Sequence, residues 1–222
     1  MAYGALTAMR KVMAAIAFSF CGLAAAAEPV TIAALGDSLT QGYGLVQQDG
    51  FVPQLQAWLR SNGADVVVIN AGVSGDTTAG GAARVDWTLT PEVDAMIVAL
   101  GGNDLLRGIE PAVSRGHLET ILRATQTAGV EVLLVGMRAP GNYGPDYKAA
   151  FDAIYPELSA AYDTLYAESF FAGLGGDTAE AVQMRAFMQP DGIHPNAEGV
   201  KRIVAALGPE VLRLVDRARR SD

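Results

Sequence analysis

The stretch that decides the fold runs from Val30 to Leu39 and reads VTIAALGDSL. Six apolar or β-branched residues come first, and a short turn that begins with Gly36 follows them directly. A continuous run of this kind predicts a strand that is buried on both faces, as in the parallel sheets of α/β proteins. The turn then places Asp37 and Ser38 at the carboxyl end of that strand.

Short apolar runs alternate with longer amphipathic stretches along the rest of the chain, which predicts βαβ units and a parallel sheet covered by helices. The predicted strands are Val30–Leu35, Val66–Asn70, Ala95–Leu100, Val130–Val135 and a less regular segment between Thr164 and Phe171. The predicted helices are Phe51–Ser61, Thr77–Trp87, Pro111–Ala128, Asp146–Ala161 and Ala197–Arg213. We therefore expect a three-layer α/β/α fold with five parallel strands.

The beginning of the chain is typical of a secretory signal peptide. Arg10 and Lys11 precede an apolar run from Val12 to Leu23, and four alanines end it. We expect cleavage after Ala27, so that residues 1–27 are removed and residues 28–222 form one globular domain; a start at Met9 is an alternative. The run is shorter than the roughly 20 residues that span a bilayer. No stable membrane anchor is expected, and the location is predicted to be periplasmic or secreted.

The composition argues against several kinds of partner and of chemistry. The net charge is −8, which argues against nucleic acid as a partner. Cys21 is the one cysteine and lies inside the predicted signal peptide, so the mature chain offers no thiolate and no sulfur metal site. The bulky Phe20 before it disfavours lipoprotein attachment. Neither a metal cluster nor a Walker-type loop is present in the sequence, and no metal or other cofactor is expected. A monomer is expected.

Small, polar turns follow three of the predicted strands. They are Gly36–Leu39, Ala71–Asp76 and Gly101–Asp104. Ligands of open α/β sheets bind outside the carboxyl ends of the strands, so these turns are expected to meet at one crevice. Each turn taken alone has a simpler interpretation as a helix cap or a glycine turn.

A fourth polar segment lies near the end of the chain and reads DGIHPN from Asp191 to Asn196. A carboxylate three residues before His194 can hold one ring nitrogen, which leaves the other nitrogen free to accept a proton from a serine. A surface or helix-cap role for His194 is the alternative interpretation. His117 lies in the middle of a predicted helix without a comparable carboxylate, and is not favoured as the base.

Taken in order, these motifs resemble the four sequence blocks of the SGNH or GDSL hydrolase family: GDSL at 36–39, a glycine after the second strand, Gly102-Asn103-Asp104, and Asp191 with His194. Further stretches are similar to the bacterial branch of multifunctional thioesterase I, arylesterase and lysophospholipase; they are 70–77, 142–144 and 153–156. The segment Ala172–Ala186 is longer and richer in glycine than that branch leads us to expect. The resemblance implies a flavodoxin-like sheet and hydrolysis of acyl esters.

The resemblance also implies roles for individual residues. Ser38 is the nucleophile, His194 the base and Asp191 the residue that orients the imidazole. The oxyanion hole consists of the backbone N–H groups of Ser38 and Gly75 and the side-chain amide of Asn103. The acyl groove is expected to include apolar residues that could equally belong to the core: Leu106, Tyr143 and Ile193, with Leu105 and Ile109 as further candidates.

The implied substrate is a small-molecule or lipid ester, such as an aryl ester, a thioester or a lysophospholipid. Two alternatives stay open at this point. One keeps the chemistry and makes the substrate an acetylated carbohydrate, because fold and catalytic groups do not specify the leaving group. The other is a non-catalytic, flavodoxin-like domain in which the turn Gly36–Thr40 binds a phosphate or a flavin. That alternative leaves the loop from Asp191 to His194 without a purpose.

Overall fold

The structure is a computed structural model that describes residues 28–175 and 184–221. Its centre is a sheet of five strands: β1 (Val30–Gly36), β2 (Val66–Gly72), β3 (Ala95–Ala99), β4 (Glu131–Val135) and β5 (Leu165–Ala167). The strands are all parallel and lie in the order β2-β1-β3-β4-β5. This order is that of the flavodoxin-like, doubly wound fold, and the predicted fold class is confirmed.

Helices cover both faces of the sheet. They are α1 (Ser38–Gln41), α2 (Phe51–Ser61), α3 (Thr78–Thr88), α4 (Gly102–Arg107), α5 (Pro111–Ala128), α6 (Pro145–Tyr162) and α7 (Ala197–Ser221), with 3₁₀ turns at Gln47–Asp49 and Ala172–Leu174. The helix α2 packs against α7, while α3 and α6 both pack against α5. Two short helices, α1 and α4, follow β1 and β3 at the carboxyl edge of the sheet.

The sequence signals for the helix ends are borne out best in α5. Pro111 occupies its first turn, where the missing N–H has no intrahelical partner to lose, and Gly129 ends it in the left-handed conformation. The helix α7 was predicted to end at Arg213 and instead continues to Ser221. The reason is that Leu214, Val215 and Ala218 extend its apolar stripe and are all buried.

The expected signal peptide, residues 1–27, lies outside the described residues. Of the segment Ala172–Ala186, the structure describes the 3₁₀ turn Ala172–Leu174, Gly175 and residues 184–186. Within the described part of the chain, no helix is both long and apolar enough to cross a membrane.

Glycine at the ends of β1 and β2 allows α1 to lie directly across the sheet edge. Gly36 and Gly72 are register partners in the parallel pair. A Cβ atom on Gly72 would lie 2.4 Å from the backbone nitrogen of Gln41, the last residue of α1. Because that neighbour is backbone, a larger residue could be accommodated only by displacing α1, and with it Ser38.

This contact predicts the effect of Gly72→Ala. Overpacking against backbone typically costs about 1–3 kcal/mol, so we expect the free energy of unfolding in urea to fall by that amount. The matched control is Gly116→Ala, because Gly116 is an exposed position of α5 where a Cβ meets no atom within 4 Å. The control should be more stable than the wild type by up to about 1 kcal/mol. Equal stability of the two variants would contradict the close packing of α1 on β2.

Candidate active site

Ser38 is the first residue of α1 and lies at the carboxyl edge of the sheet. Asp37 caps this helix: its Oδ1 accepts a hydrogen bond from the N–H of Leu39 at 3.0 Å, and its backbone carbonyl accepts one from Gln41 at 2.9 Å. The cap fixes the turn between a buried strand and a helix that is only four residues long. The Ser38 side chain is therefore presented from a rigid part of the fold.

The loop that carries His194 is organised by the carboxylate of Asp191. One oxygen, Oδ1, accepts hydrogen bonds from the backbone N–H groups of Ile193 and His194 at 2.9 and 3.0 Å. The other oxygen, Oδ2, lies 2.6 Å from Nδ1 of His194. The spacing of three residues thus allows one carboxylate to hold both the loop backbone and the imidazole ring.

The structure brings this histidine to the serine. Nε2 of His194 lies 2.9 Å from Oγ of Ser38, although the two residues are 156 positions apart. With Nδ1 donating its hydrogen to Asp191, Nε2 of a neutral imidazole is an acceptor and the serine hydroxyl is the donor. This is the arrangement that general-base activation of a serine requires. His117 lies elsewhere, with its Nδ1 3.3 Å from Oγ1 of Thr78.

The hydrogen bonds around Asp191 also set its ionisation. The hydrogen bond from His194 is the largest cause, followed by the two backbone N–H groups, and together they lower the pKa of Asp191 to about 2. The carboxyl group is therefore ionised throughout the pH range in which proteins normally work. An ionised group at this place favours the imidazole tautomer with its hydrogen on Nδ1.

The predicted oxyanion residues lie beside Ser38 at the same edge. Gly75 has a φ of +85°, and its carbonyl accepts a hydrogen bond from Arg107 at 2.9 Å. Nδ2 of Asn103 donates to the carbonyl of Asp76 at 2.9 Å and to Oδ2 of Asp37 at 3.3 Å. The amide nitrogen that is predicted to face an oxyanion thus lies within hydrogen-bond distance of two protein acceptors.

Two further carboxylates connect the turns to the rest of the fold. Asp76 forms a salt bridge of 2.7 Å with Arg84, and the same guanidinium donates to the carbonyl of Gly36 at 2.9 Å. Asp104 is fully buried and accepts hydrogen bonds from the backbone and hydroxyl of Thr78 and from the hydroxyl of Ser114. The three strand-end turns are thus tied to one another and to α3 and α5.

Comparisons with known proteins identify the family. The model of the GDSL-like Lipase/Acylhydrolase family matches residues 34–202. The chain belongs to this family. The matched region includes every residue that the sequence pattern singled out for the site. Family and fold are therefore as predicted, and so is the enzyme class, a carboxylic ester hydrolase.

Individual relatives cover most of the chain. Esterase TesA of Pseudomonas aeruginosa is 38% identical over 83% of this chain and 89% of its own length. Thioesterase 1/protease 1/lysophospholipase L1 of Escherichia coli K12 is 36% identical, over 87% of this chain and 88% of its own length. The solved structure of AlinE4, an SGNH-hydrolase family esterase, is 41% identical with a TM-score of 0.68, over 84% of this chain and 96% of that one.

In this member of the family, an open cleft of about 630 Å³ lies over Ser38 and His194. The three predicted groove residues Leu106, Tyr143 and Ile193 line it with exposures of 60%, 44% and 45%. Leu105 also lines the cleft, while Ile109 is not among its lining residues. Further apolar residues of the lining were not predicted, because no sequence motif distinguishes them from core residues; they include Met137, Phe171 and Met188.

Beneath the cleft, Asp37 is almost completely buried. Burial is the largest influence on this carboxyl group and raises its pKa to about 6, against the opposing effects of the Leu39 N–H, His194 and Asn103. The motif around Asp37 predicts a helix cap but contains no signal of this shift, because the shift results from the depth at which the turn is packed.

The raised pKa predicts how stability depends on pH. The folded state keeps the Asp37 proton up to about pH 6, whereas the unfolded state releases it near 3.8, so this group lowers the free energy of unfolding as pH rises between these values. A shift of this size corresponds to roughly 3 kcal/mol. We expect the unfolding free energy of Asp37→Asn, measured in urea, to rise relative to that of the wild type by about this amount as the pH is raised from 3.5 to 7.5. A difference that is constant with pH would contradict the shift.

Proposed function

We propose that the protein is a serine esterase that hydrolyses acyl esters through an acyl-enzyme formed on Ser38. The observation that carries the proposal is the position of one imidazole, with Nε2 at 2.9 Å from Oγ of Ser38 and Nδ1 at 2.6 Å from the carboxylate of Asp191. Ser38, His194 and Asp191 then act as nucleophile, general base and orienting carboxylate.

The first half of the reaction acylates the serine. His194 takes the hydroxyl proton while Oγ of Ser38 attacks the acyl carbonyl carbon, and the imidazolium that forms is stabilised by Asp191. The same imidazolium then gives its proton to the leaving alcohol or thiol as the acyl–oxygen or acyl–sulfur bond breaks. Water repeats the cycle on the acyl-enzyme, with His194 as base, and releases the acid.

The oxyanion of each tetrahedral intermediate would be met by the N–H groups of Ser38 and Gly75 and by the amide of Asn103. One amide hydrogen of Asn103 can stay on the Asp76 carbonyl at 2.9 Å, while the other leaves its longer, 3.3 Å hydrogen bond to Asp37. The hydrogen bond to the oxyanion that replaces it becomes stronger as negative charge develops on that oxygen, which is how a donor lowers a barrier.

The substrate class follows from the surface of the cleft. Exposed apolar side chains around a serine favour an acyl or aryl group, and we assign acyl contacts to Leu106, Tyr143 and Ile193. The names of the relatives point the same way, since they include an esterase and a thioesterase and lysophospholipase. A small-molecule or lipid ester is therefore preferred to an acetylated sugar, and the paired serine and histidine disfavour a non-catalytic flavin or phosphate module.

The setting of the enzyme is proposed from the sequence. Residues 1–27 have the charge and apolar pattern of a signal peptide, so the mature chain of residues 28–222 is assigned to the periplasm or the exterior. There it would meet esters and lysophospholipids more readily than cytosolic thioesters. The net charge of −8 supports a role without nucleic acid, and we propose that the enzyme acts as a monomer.

The test is hydrolysis of p-nitrophenyl esters of graded acyl length by the wild type and Ser38→Ala. We expect the variant to lose on the order of 10³-fold or more in kcat, because the nucleophile is absent. A fluorophosphonate probe should add its phosphonyl group to Ser38 of the wild type and leave the variant unlabelled, as read by peptide mass spectrometry. His194→Gln should lose activity because it lacks the general base, whereas His117→Gln, its matched control, should keep the activity of the wild type. Full activity of Ser38→Ala would overturn the proposal.

The role of Asn103 is tested with Asn103→Ala. Loss of one oxyanion donor costs about 3 kcal/mol of barrier, so kcat should fall by roughly 10²-fold while KM changes little. Steady-state kinetics on a p-nitrophenyl ester separate the two constants. A variant with unchanged kcat and a raised KM would instead identify the amide as a ground-state binding group.

A further inference from the structure

Ser38 and His194 lie in separate segments of the chain, so their contact depends on how these two segments are held together. We infer that Gln189 is a positioning residue that holds the His194 loop against the turn that follows Ser38. This inference rests on the proposed function, since its consequence is a catalytic distance. Gln189 is half-buried and is not among the residues that line the cleft.

The side-chain amide of Gln189 bridges the two segments. Its Nε2 donates one hydrogen bond to the carbonyl of Tyr43 at 2.8 Å, across 146 positions of the chain, and another to the carbonyl of Pro195 at 3.0 Å. Its backbone N–H donates to the carbonyl of His194 at 2.7 Å. Gln189 thus contacts the backbone of the turn that follows Ser38 and the backbone of the loop that carries His194.

These bonds complete a closed path. The N–H of Tyr43 donates to the carbonyl of Ser38 at 3.1 Å, so hydrogen bonds run from Ser38 through Tyr43 and Gln189 to His194. The contact of 2.9 Å between the two catalytic side chains closes the ring. Tyr43 adds a second contact, because its ring packs on the imidazole with a centroid distance of 4.6 Å.

The turn after α1 leaves space for this amide. Gly44 has a φ of +75°, and a Cβ on it would lie 2.2 Å from Oε1 of Gln189. The remaining side-chain hydrogen bonds of the loop are mostly internal, such as those from Asn196 to the carbonyls of Ala186 and Met188. Within residues 28–175 and 184–221, the Gln189 amide makes the one side-chain to backbone hydrogen bond between residues 42–46 and the loop 184–196.

Gln189→Leu tests the inference, because leucine keeps an apolar stem of similar size and removes both donors. Misplacement of a catalytic group by about 1 Å can cost on the order of 10²-fold in rate. We expect kcat for a p-nitrophenyl ester to fall by roughly 10- to 100-fold, with KM within about threefold because the cleft wall is unchanged. Phosphonylation of Ser38 should slow by a similar factor.

Two measurements separate positioning from a general loss of structure. The pair of Asp191 and His194 is held within its own loop, so imidazole ¹⁵N NMR should still report hydrogen on Nδ1 of His194 in Gln189→Leu. The chain has two histidines, and His117→Gln assigns the signals. Gln56→Leu is the matched control: Gln56 accepts a hydrogen bond from the Val68 N–H at 2.8 Å, away from the cleft, and its loss should leave kcat within twofold.

The outcomes are distinct. The positioning role is overturned if kcat of Gln189→Leu stays within twofold of the wild type. It is also overturned if kcat falls and the NMR signal of the hydrogen on Nδ1 of His194 is lost as well. Gly44→Ala is a second variant that displaces the amide without changing Gln189, and it should lower kcat in the same direction. If Ser38→Ala kept full activity, the proposed function itself would fail, whereas an inactive Ser38→Ala beside a fully active Gln189→Leu would reject this inference alone.

Discussion

The contact of 2.9 Å between His194 and Ser38 is the constraint on which the functional geometry depends. It joins a turn at the end of β1 to a loop that precedes α7, so it exists only if the sheet and the last helix are assembled correctly. The fold satisfies this requirement through buried backbone. β1 is an interior strand of the sheet, α1 lies against glycine at the ends of two strands, and α7 packs against α2 and the sheet.

The two carboxylates nearest the reacting groups lie in opposite environments. Asp191 is partly exposed and accepts three hydrogen bonds, so its pKa is lowered to about 2 and it carries charge at little cost. Asp37 is buried under the serine, and burial raises its pKa to about 6. The charge of Asp37 therefore weakens the fold at neutral pH while it accepts the hydrogen bonds of Leu39 and Asn103. Local structure at the site is thus maintained at the expense of global stability.

Sequence patterns predicted the parts of the fold that are governed by local rules. β1 and β3 are continuous apolar runs, and Pro111 and Gly129 delimit α5, so periodicity and capping suffice there. The convergence of three turns followed from the rule that parallel strands end at one edge. The end of α7 was not predicted, because arginines alternate with the last buried residues and obscure the apolar stripe in the sequence.

Individual long-range hydrogen bonds around the site were not predicted from the sequence. Nothing in the glutamine at position 189 indicates that its amide meets Tyr43, because that contact spans 146 positions and depends on how two loops pack. The same holds for Asn103, whose motif predicts an amide at the strand end but not its hydrogen bonds to Asp37 and Asp76. Such partners are set by tertiary packing, which a single sequence does not encode in any local period.

Rigidity and exposure are divided between different parts of the site. The groups assigned to the chemistry come from a capped strand end and a cross-linked loop, and the His194 imidazole is largely enclosed, with its side chain 15% exposed. The residues assigned to acyl contacts, Leu106, Tyr143 and Ile193, are instead far more exposed. An apolar surface that is open to solvent binds through buried area and not through directed hydrogen bonds, so added methylene groups change affinity gradually. This division favours an esterase with strict geometry at the carbonyl carbon and broad tolerance for the acyl chain.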